Sequence, residues 1–256
     1  MLSELLNLNL FAFLLIFTRV GTAMSVLPGF GSQQISMTIR LTFALLVTLV
    51  MTPTLMPLLP QQPSQTSVLF LLLASEALVG VFLGIFPRIM MGALQTAGTL
   101  IAMLAAMANA FVMDPVAEQQ SSVIASFLGT MGVTLVFVTN THHLMLNAIA
   151  ESYAVFDPMT VPMVGDMSDF MAHTVADSFR IGVQLASPLI ISGVAYYLGL
   201  GIMGRLMPQL PVFFFGMPIQ ISLQISLLMI SLTSMMMVFM RFYTETLMGF
   251  SASWGG

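Results

Sequence analysis

The chain has 256 residues, 58% hydrophobic and only 6% charged, with a formal net charge of −4. A soluble domain is about a quarter charged, so an ordinary soluble fold is excluded, and apolar runs that are continuous instead of alternating exclude an outer-membrane barrel. There is no cysteine for a disulfide or thiolate metal site, and six arginines without a lysine or a basic stripe leave no footing for nucleic acid.

Apolar stretches long enough to cross a bilayer recur along the chain, which predicts an all-α, polytopic membrane protein. The first runs over about 5–27 and contains Arg19. It opens on Glu4 instead of a basic cluster, so a retained helix is expected and not a cleaved signal. PGFGSQQ (28–34) ends it. A second stretch runs from Arg40 to about Leu59, fraying at Pro53, Pro57 and Pro60, and QQPSQTS (61–67) is a polar loop. The region 68–113 is too long for one crossing, and Pro87 in IFPRIM suggests a break between segments 68–86 and 88–110. NAFVMDPVAEQQSS (109–122) reads as a loop. A fifth segment covers 123–139, NTHH (140–143) interrupts it, and 144–156 continues as helix. DPMTVPMVGDMSD (157–169) is an acidic Pro/Gly linker. A segment from 170 to about 203 and a last helix over 218–249 flank GRLMPQLPVFFFGMP (204–218). The resulting organisation is an N-terminal helical part, 1–156, the linker 157–169, a C-terminal helical hairpin, 170–250, and a small polar tail, 251–256. Arg40, Arg88 and Arg205 at alternate breaks place those breaks in the cytoplasm and the acidic linker outside.

Few residues carry chemistry. A carboxylate inside an apolar segment is costly, which singles out Glu76 as either a functional group or a packing device, and Arg19 as a deep cation that snorkels or pairs. Gly80 and Gly84, one turn apart, offer a small surface for close helix packing. Asp177 with Arg180 and Arg241 with Glu245 fit local charge neutralisation on one helix face. His142, His143 and His173 lack metal-ligand spacing, and no hydrolase elbow, phosphate loop or dinucleotide fingerprint occurs. No enzyme, cofactor or metal is therefore expected. Gln220, Gln224, Ser231 and Ser234 recur along the last helix, where amides and hydroxyls bridge helices; they are candidates for a subunit interface. The 25 methionines read mainly as flexible filling at helix contacts.

Several stretches, in order, resemble the FliR family of the flagellar export gate and its injectisome homologues. They are Arg19, PGFG (28–31) and Arg40, then Glu76 with Gly80 and Gly84, then Phe-Met-Asp-Pro within 111–115, and above all GRLMPQLPVFFFGMP. The resemblance covers about 1–250. It implies tilted helical hairpins within a helical hetero-oligomeric channel, the N-terminal part packing like the FliP-like subunit and the C-terminal hairpin like the FliQ-like one. It further implies that a loop plugs the closed pore. Here that loop is Asn109, Ala110, Phe111, Val112, Met113, Asp114 and Pro115, with Glu118, Gln119 and Gln120 as its polar flank. In the hairpin tip Pro208, Pro211 and Pro218 are expected to stop the helix, and Phe213, Phe214 and Phe215 to bury against partners or headgroups. Arg205, Gln209 and Gly216 complete the contact.

The function this implies is a structural and gating subunit of a channel through which unfolded flagellar proteins cross the inner membrane. Its partners would be FliP-like and FliQ-like subunits, a FlhB-like subunit, the export substrates and membrane lipid. The alternative is a secondary transporter for a small solute with Glu76 as its ion or proton site; an intramembrane hydrolase lacks the nucleophile and base it needs.

Overall fold

The computed structural model describes residues 2–32, 35–105, 122–160, 162, 164–209 and 212–254. These form helices α1 (Leu2–Val26), α2 (Met37–Leu55, followed by a short 3-10 turn, Met56–Leu58), α3 (Thr66–Leu104), α4 (Val123–Val138), α5 (His142–Val155), α6 (Val164–Leu206) and α7 (Val212–Trp254). No strand occurs among them. Four helices are long and apolar enough to cross a membrane, and α4 with α5, bent by 72° at their junction, makes a fifth candidate. The chain is thus an all-α polytopic membrane protein.

Helices run through two places where proline suggested a stop, Pro87 and Pro218, and through Pro188, in a segment expected to be continuous. Pro87 lies inside α3, so 68–86 and 88–104 are one helix. Proline removes one backbone donor, but Phe82, Leu83, Phe86 and Met90 around it are buried, and packing of this kind tolerates proline in apolar helices. Pro188 lies inside α6. A proline at 188 cannot donate to the carbonyl of Gln184, and the hydroxyl of Ser187 supplies the missing bond at 2.7 Å. Pro218 does not stop a helix either: α7 starts at Val212 and carries it as its seventh residue. The acidic linker is shorter than its composition suggests, because α6 begins at Val164. Asp166 then falls in the first turn, where a carboxylate suits the helix dipole. The interruption at 140 is real: Asn140 has a φ of +59°, a left-handed conformation that asparagine accepts better than most residues.

The chain divides into two compact units, with the divisions falling inside α3, α4, α6 and α7. The first gathers Met1–Met90, Phe137–Thr174 and Tyr243–Gly256. Its core includes a stripe along α1, namely Phe11, Leu15, Ile16, Arg19, Val20 and Ala23, at the helical spacing of one face. An aromatic group of Phe82, Phe86, Phe156, Phe170 and Phe250 packs within the same unit, with centroids 5.0–6.3 Å apart. The second unit, Met91–Val136 and Val175–Phe242, is closely packed through glycines. A Cβ on Gly98 would strike the backbone of Ala125, and one on Gly182 would come within 2.9 Å of the Ala93 carbonyl.

Candidate functional site

Arg19 and Glu76 are 1% and 0% exposed and face each other in the first unit. Both lie on the apolar stripe of their helix, so burial follows from helical phase: Arg19 lies among Leu15, Ile16 and Ala23, and Glu76 among Leu72, Val79 and Leu83. The pair is bidentate. Arg19 Nε donates to Glu76 Oε2 at 2.7 Å, and Nη2 donates to Oε1 at 2.8 Å. The remaining donors reach α5 and its end: Nη1 to Ser152 Oγ at 3.1 Å, Nη2 to the Phe156 carbonyl at 3.0 Å. Arg19 Cζ stands over the Tyr153 ring, 3.8 Å from its centroid, a cation–π contact strengthened by desolvation.

The glycines explain how the two charges get so close. A Cβ on Gly80, one turn after Glu76, would collide with Thr22 Oγ1 and with the carbonyl of Arg19 itself. At Gly84 it would stand 2.6 Å from the Ala23 carbonyl and 2.8 Å from Val26 Cβ. The backbones of α1 and α3 therefore touch at these two turns. Chemically the cluster is a staple and not a reactive group. Both carboxylate oxygens accept from the guanidinium, and the carboxylate is fully buried beside its counter-charge. Among the described residues no three His, Asp or Glu side chains gather as a metal site.

In the second unit Gln220 and Gln224, both 1% exposed, are committed within the chain. Gln220 Nε2 donates to the carbonyl of Leu104, the last residue of α3, whose carbonyl has no helical donor. Gln224 Nε2 donates to the Leu189 carbonyl at 3.3 Å. Ser231 is half-buried and bonds back to Leu227, and Ser234 is exposed. In the hairpin tip Arg205, Pro208, Gln209 and Pro218 are exposed, as are Phe214 at 81% and Phe215 at 69%. Gly216 is buried, and its carbonyl accepts from Tyr196 Oη at 2.7 Å. Pro211 and the side chain of Phe213 lie outside the described residues, as does the whole expected plug, Asn109 to Gln120.

Sequence reasoning singled out Arg19, Glu76, Gln220 and Gln224 but missed their connections. Ser152, Tyr153 and the Phe156 carbonyl carried no motif, and the cap that Gln220 places on α3 joins residues 116 positions apart. Helical phase accounts for their burial; nothing local marked their partners.

Residues 10–246 match the model of a protein family described as bacterial export proteins, family 1. The chain is 38% identical to the flagellar biosynthetic protein FliR of Caulobacter vibrioides over 91% of this chain and 93% of that protein. It is 31% identical to FliR of Bacillus subtilis over 92% of each. It is also similar to the Yop proteins translocation protein T of Yersinia pestis, 28% identical over 66% of this chain and 65% of the relative. With the match spanning nearly every helix of the fold, the chain belongs to family 1 of the bacterial export proteins.

Proposed function

We propose that this protein is a structural and gating subunit of the flagellar type III export apparatus. It would form, with FliP-like and FliQ-like subunits and next to a FlhB-like one, the channel by which unfolded flagellar proteins cross the inner membrane. The observation that carries the reading is the family match over 10–246, joined to nine-tenths coverage of flagellar relatives in both directions. Membership of the export apparatus and a place in its membrane follow from that match and from the long apolar helices; the named partners and the gate belong to the proposal.

The physical character of the chain supports it. Apolar side chains on α6 and α7, including Ile191, Leu198, Ile202, Phe214, Phe215, Met229 and Ile230, are exposed in a single chain, and large exposed apolar patches mark interaction surfaces or lipid contact. The role is one of scaffold and seal, without a reaction of its own. A solute transporter built on Glu76 has no observation in its favour, since the carboxylate is buried and paired with Arg19.

The test is gentle-detergent purification of the tagged chain from its own cells, followed by a motility and secretion assay of a deletion strain. The expected result is two further small membrane proteins in fixed ratio with the chain, and loss of flagellar protein export without it. A chain that purifies alone, in a strain whose export is unaffected by the deletion, defeats the proposal.

A further inference from the structure

Among the long apolar helices α2 stands apart by its length. Its 19 residues rise ~28 Å at ~1.5 Å each, close to the ~30 Å of a bilayer's hydrocarbon core. Met37, Ile39, Leu46, Leu49 and Val50 are more than half exposed, while Ala44, Thr48 and Leu55 are its buried residues. Three of its five threonine hydroxyls are satisfied within the helix. Thr42, Thr48 and Thr52 donate to the carbonyls of Thr38, Ala44 and Thr48 in the same helix. A helix of this length with this surface suits a hydrocarbon environment.

At its first turn stands Arg40. Nη2 donates to the carbonyls of Ser32 at 2.8 Å and Ile35 at 3.4 Å. Its Nε is buried with no partner among the described residues. Arg40 lines, together with Met24, Phe30, Ile35, Ile39 and Phe43, an almost wholly apolar hollow of about 190 Å³, to which it contributes its hydrocarbon stem. Among the described residues Arg40 makes no ion pair, and between Glu4 and Glu76 the sequence has no acidic residue. An acidic protein side chain would meet Arg40 and leave the hollow empty. An apolar helix would fill the hollow and leave the cation facing hydrocarbon. An amphiphile with an anionic head and a hydrocarbon tail satisfies both at the depth where a bilayer-length helix begins.

We propose that the start of α2 binds an anionic phospholipid, its phosphate on Arg40 and the upper part of one acyl chain in the hollow lined by Phe30, Ile35 and Phe43. Arg88 lies inside α3 and marks no break, but Arg40 at the start of α2 and Arg205 at the end of α6 still favour a cytoplasmic position for this end, where the leaflet carries anionic lipid. The site depends on insertion in a membrane and not on the export role, so either can fail alone.

The full chain carries a single tryptophan, Trp254. A Trp254→Phe, Phe43→Trp variant puts a fluorophore in the hollow, and proteoliposomes are titrated with brominated phosphatidylglycerol or brominated phosphatidylcholine. The expected result is quenching by the anionic lipid at mole fractions about fivefold lower than by the zwitterionic one, the ratio that ~1 kcal/mol per arginine near a membrane surface implies. Adding Arg40→Gln should bring that ratio to one, and Arg40→Lys should keep part of it. Equal quenching by the two lipids overturns the proposal, and this comparison needs no Arg40 variant to fold. Two other outcomes also overturn it. Loss of quenching when the chain is reconstituted with its co-purifying membrane proteins would mean that protein covers the site. Displacement of the brominated lipid by millimolar inorganic phosphate would mean that the site takes a free anion.

Discussion

Arg19 joins three segments through one side chain: Glu76 of α3, Ser152 of α5 and the Phe156 carbonyl just beyond it. A buried pair is weak evidence of net stability, because desolvation offsets the attraction, but breaking one side of it strands a charge. Two variants separate these effects. Glu76→Gln leaves a guanidinium at 1% exposure without its counter-charge and should cost roughly 3–5 kcal/mol. The double variant Arg19→Met, Glu76→Met removes both charges. Ser152 still donates to the Ile149 carbonyl, so the chief loss is the bond to the Phe156 carbonyl, about 1–3 kcal/mol. Unfolding of the purified chain in detergent, followed by circular dichroism, should rank the double variant above the single one. Equal losses would mean that volume and packing hold this site, with pairing irrelevant. The sequence singled both residues out as charges within apolar segments, leaving Arg19 open between snorkelling and pairing, and helical phase accounts for their burial. Their pairing was not legible, since phase says which face is inward and not which faces meet, and 57 positions separate them.

At the scale of elements, the contacts depend on where a side chain is missing. Gly80 and Gly84 let α1 and α3 touch through their backbones, whereas a Cβ on Gly199, Gly201 or Gly204 of α6 would meet nothing within 4 Å. Alanine at Gly80 should therefore force the helices apart and cost about 1–3 kcal/mol, as overpacking does. Alanine at Gly199 should gain up to ~1 kcal/mol, as glycine replacement inside a helix does. Thermal unfolding of the isolated chain checks both signs. If Gly199 also receives a backbone from another subunit, its alanine variant should lose co-purifying protein while keeping its own stability. The spacing of Gly80 and Gly84 announced such a contact, and the chain's polar breaks at 28–34, 61–67 and 140–143 were legible too. The prolines were not. Pro87 was expected to break a helix and Pro218 to stop one, yet both sit within helices; buried packing around Pro87, like the Ser187 hydroxyl at Pro188 in a segment read as continuous, offsets a missing donor. Local propensity carries no information about either remedy. The shortened linker has a related cause: Asp166 reads as loop by composition but favours the start of α6 by its charge.

For the whole molecule, helix lengths decide how much of it lipid can cover. α3, α6 and α7 have 39, 43 and 43 residues, or about 60 Å, twice a hydrocarbon core of ~30 Å. Apolar surface of that extent suits sibling subunits as well as lipid, which is the setting in which a plug has meaning. Within the second unit the ends of the chain on either side of 106–121 are pinned. Gln220 holds the carbonyl of Leu104. Ser122 donates to the Gly98 carbonyl at 3.4 Å and accepts from Ala125 N at 3.1 Å, where Gly98 lies against the Ala125 backbone. Because these contacts use only flanking residues, shortening what lies between them should leave the helices in place, and loop length itself changes stability little. Deleting 110–116 is thus a test of the seal and not of folding. If Phe111 and Met113 exclude water from a closed pore, the deletion should raise ion leakage in membranes that carry the assembled apparatus, read as potassium efflux or loss of membrane potential, with unchanged co-purification. Apolar constrictions gate by dewetting, so replacing Phe111 and Met113 together by serine should reproduce much of the leak at full loop length. Intact assembly with no added leakage from either variant would remove the plug role and leave the chain a scaffold alone.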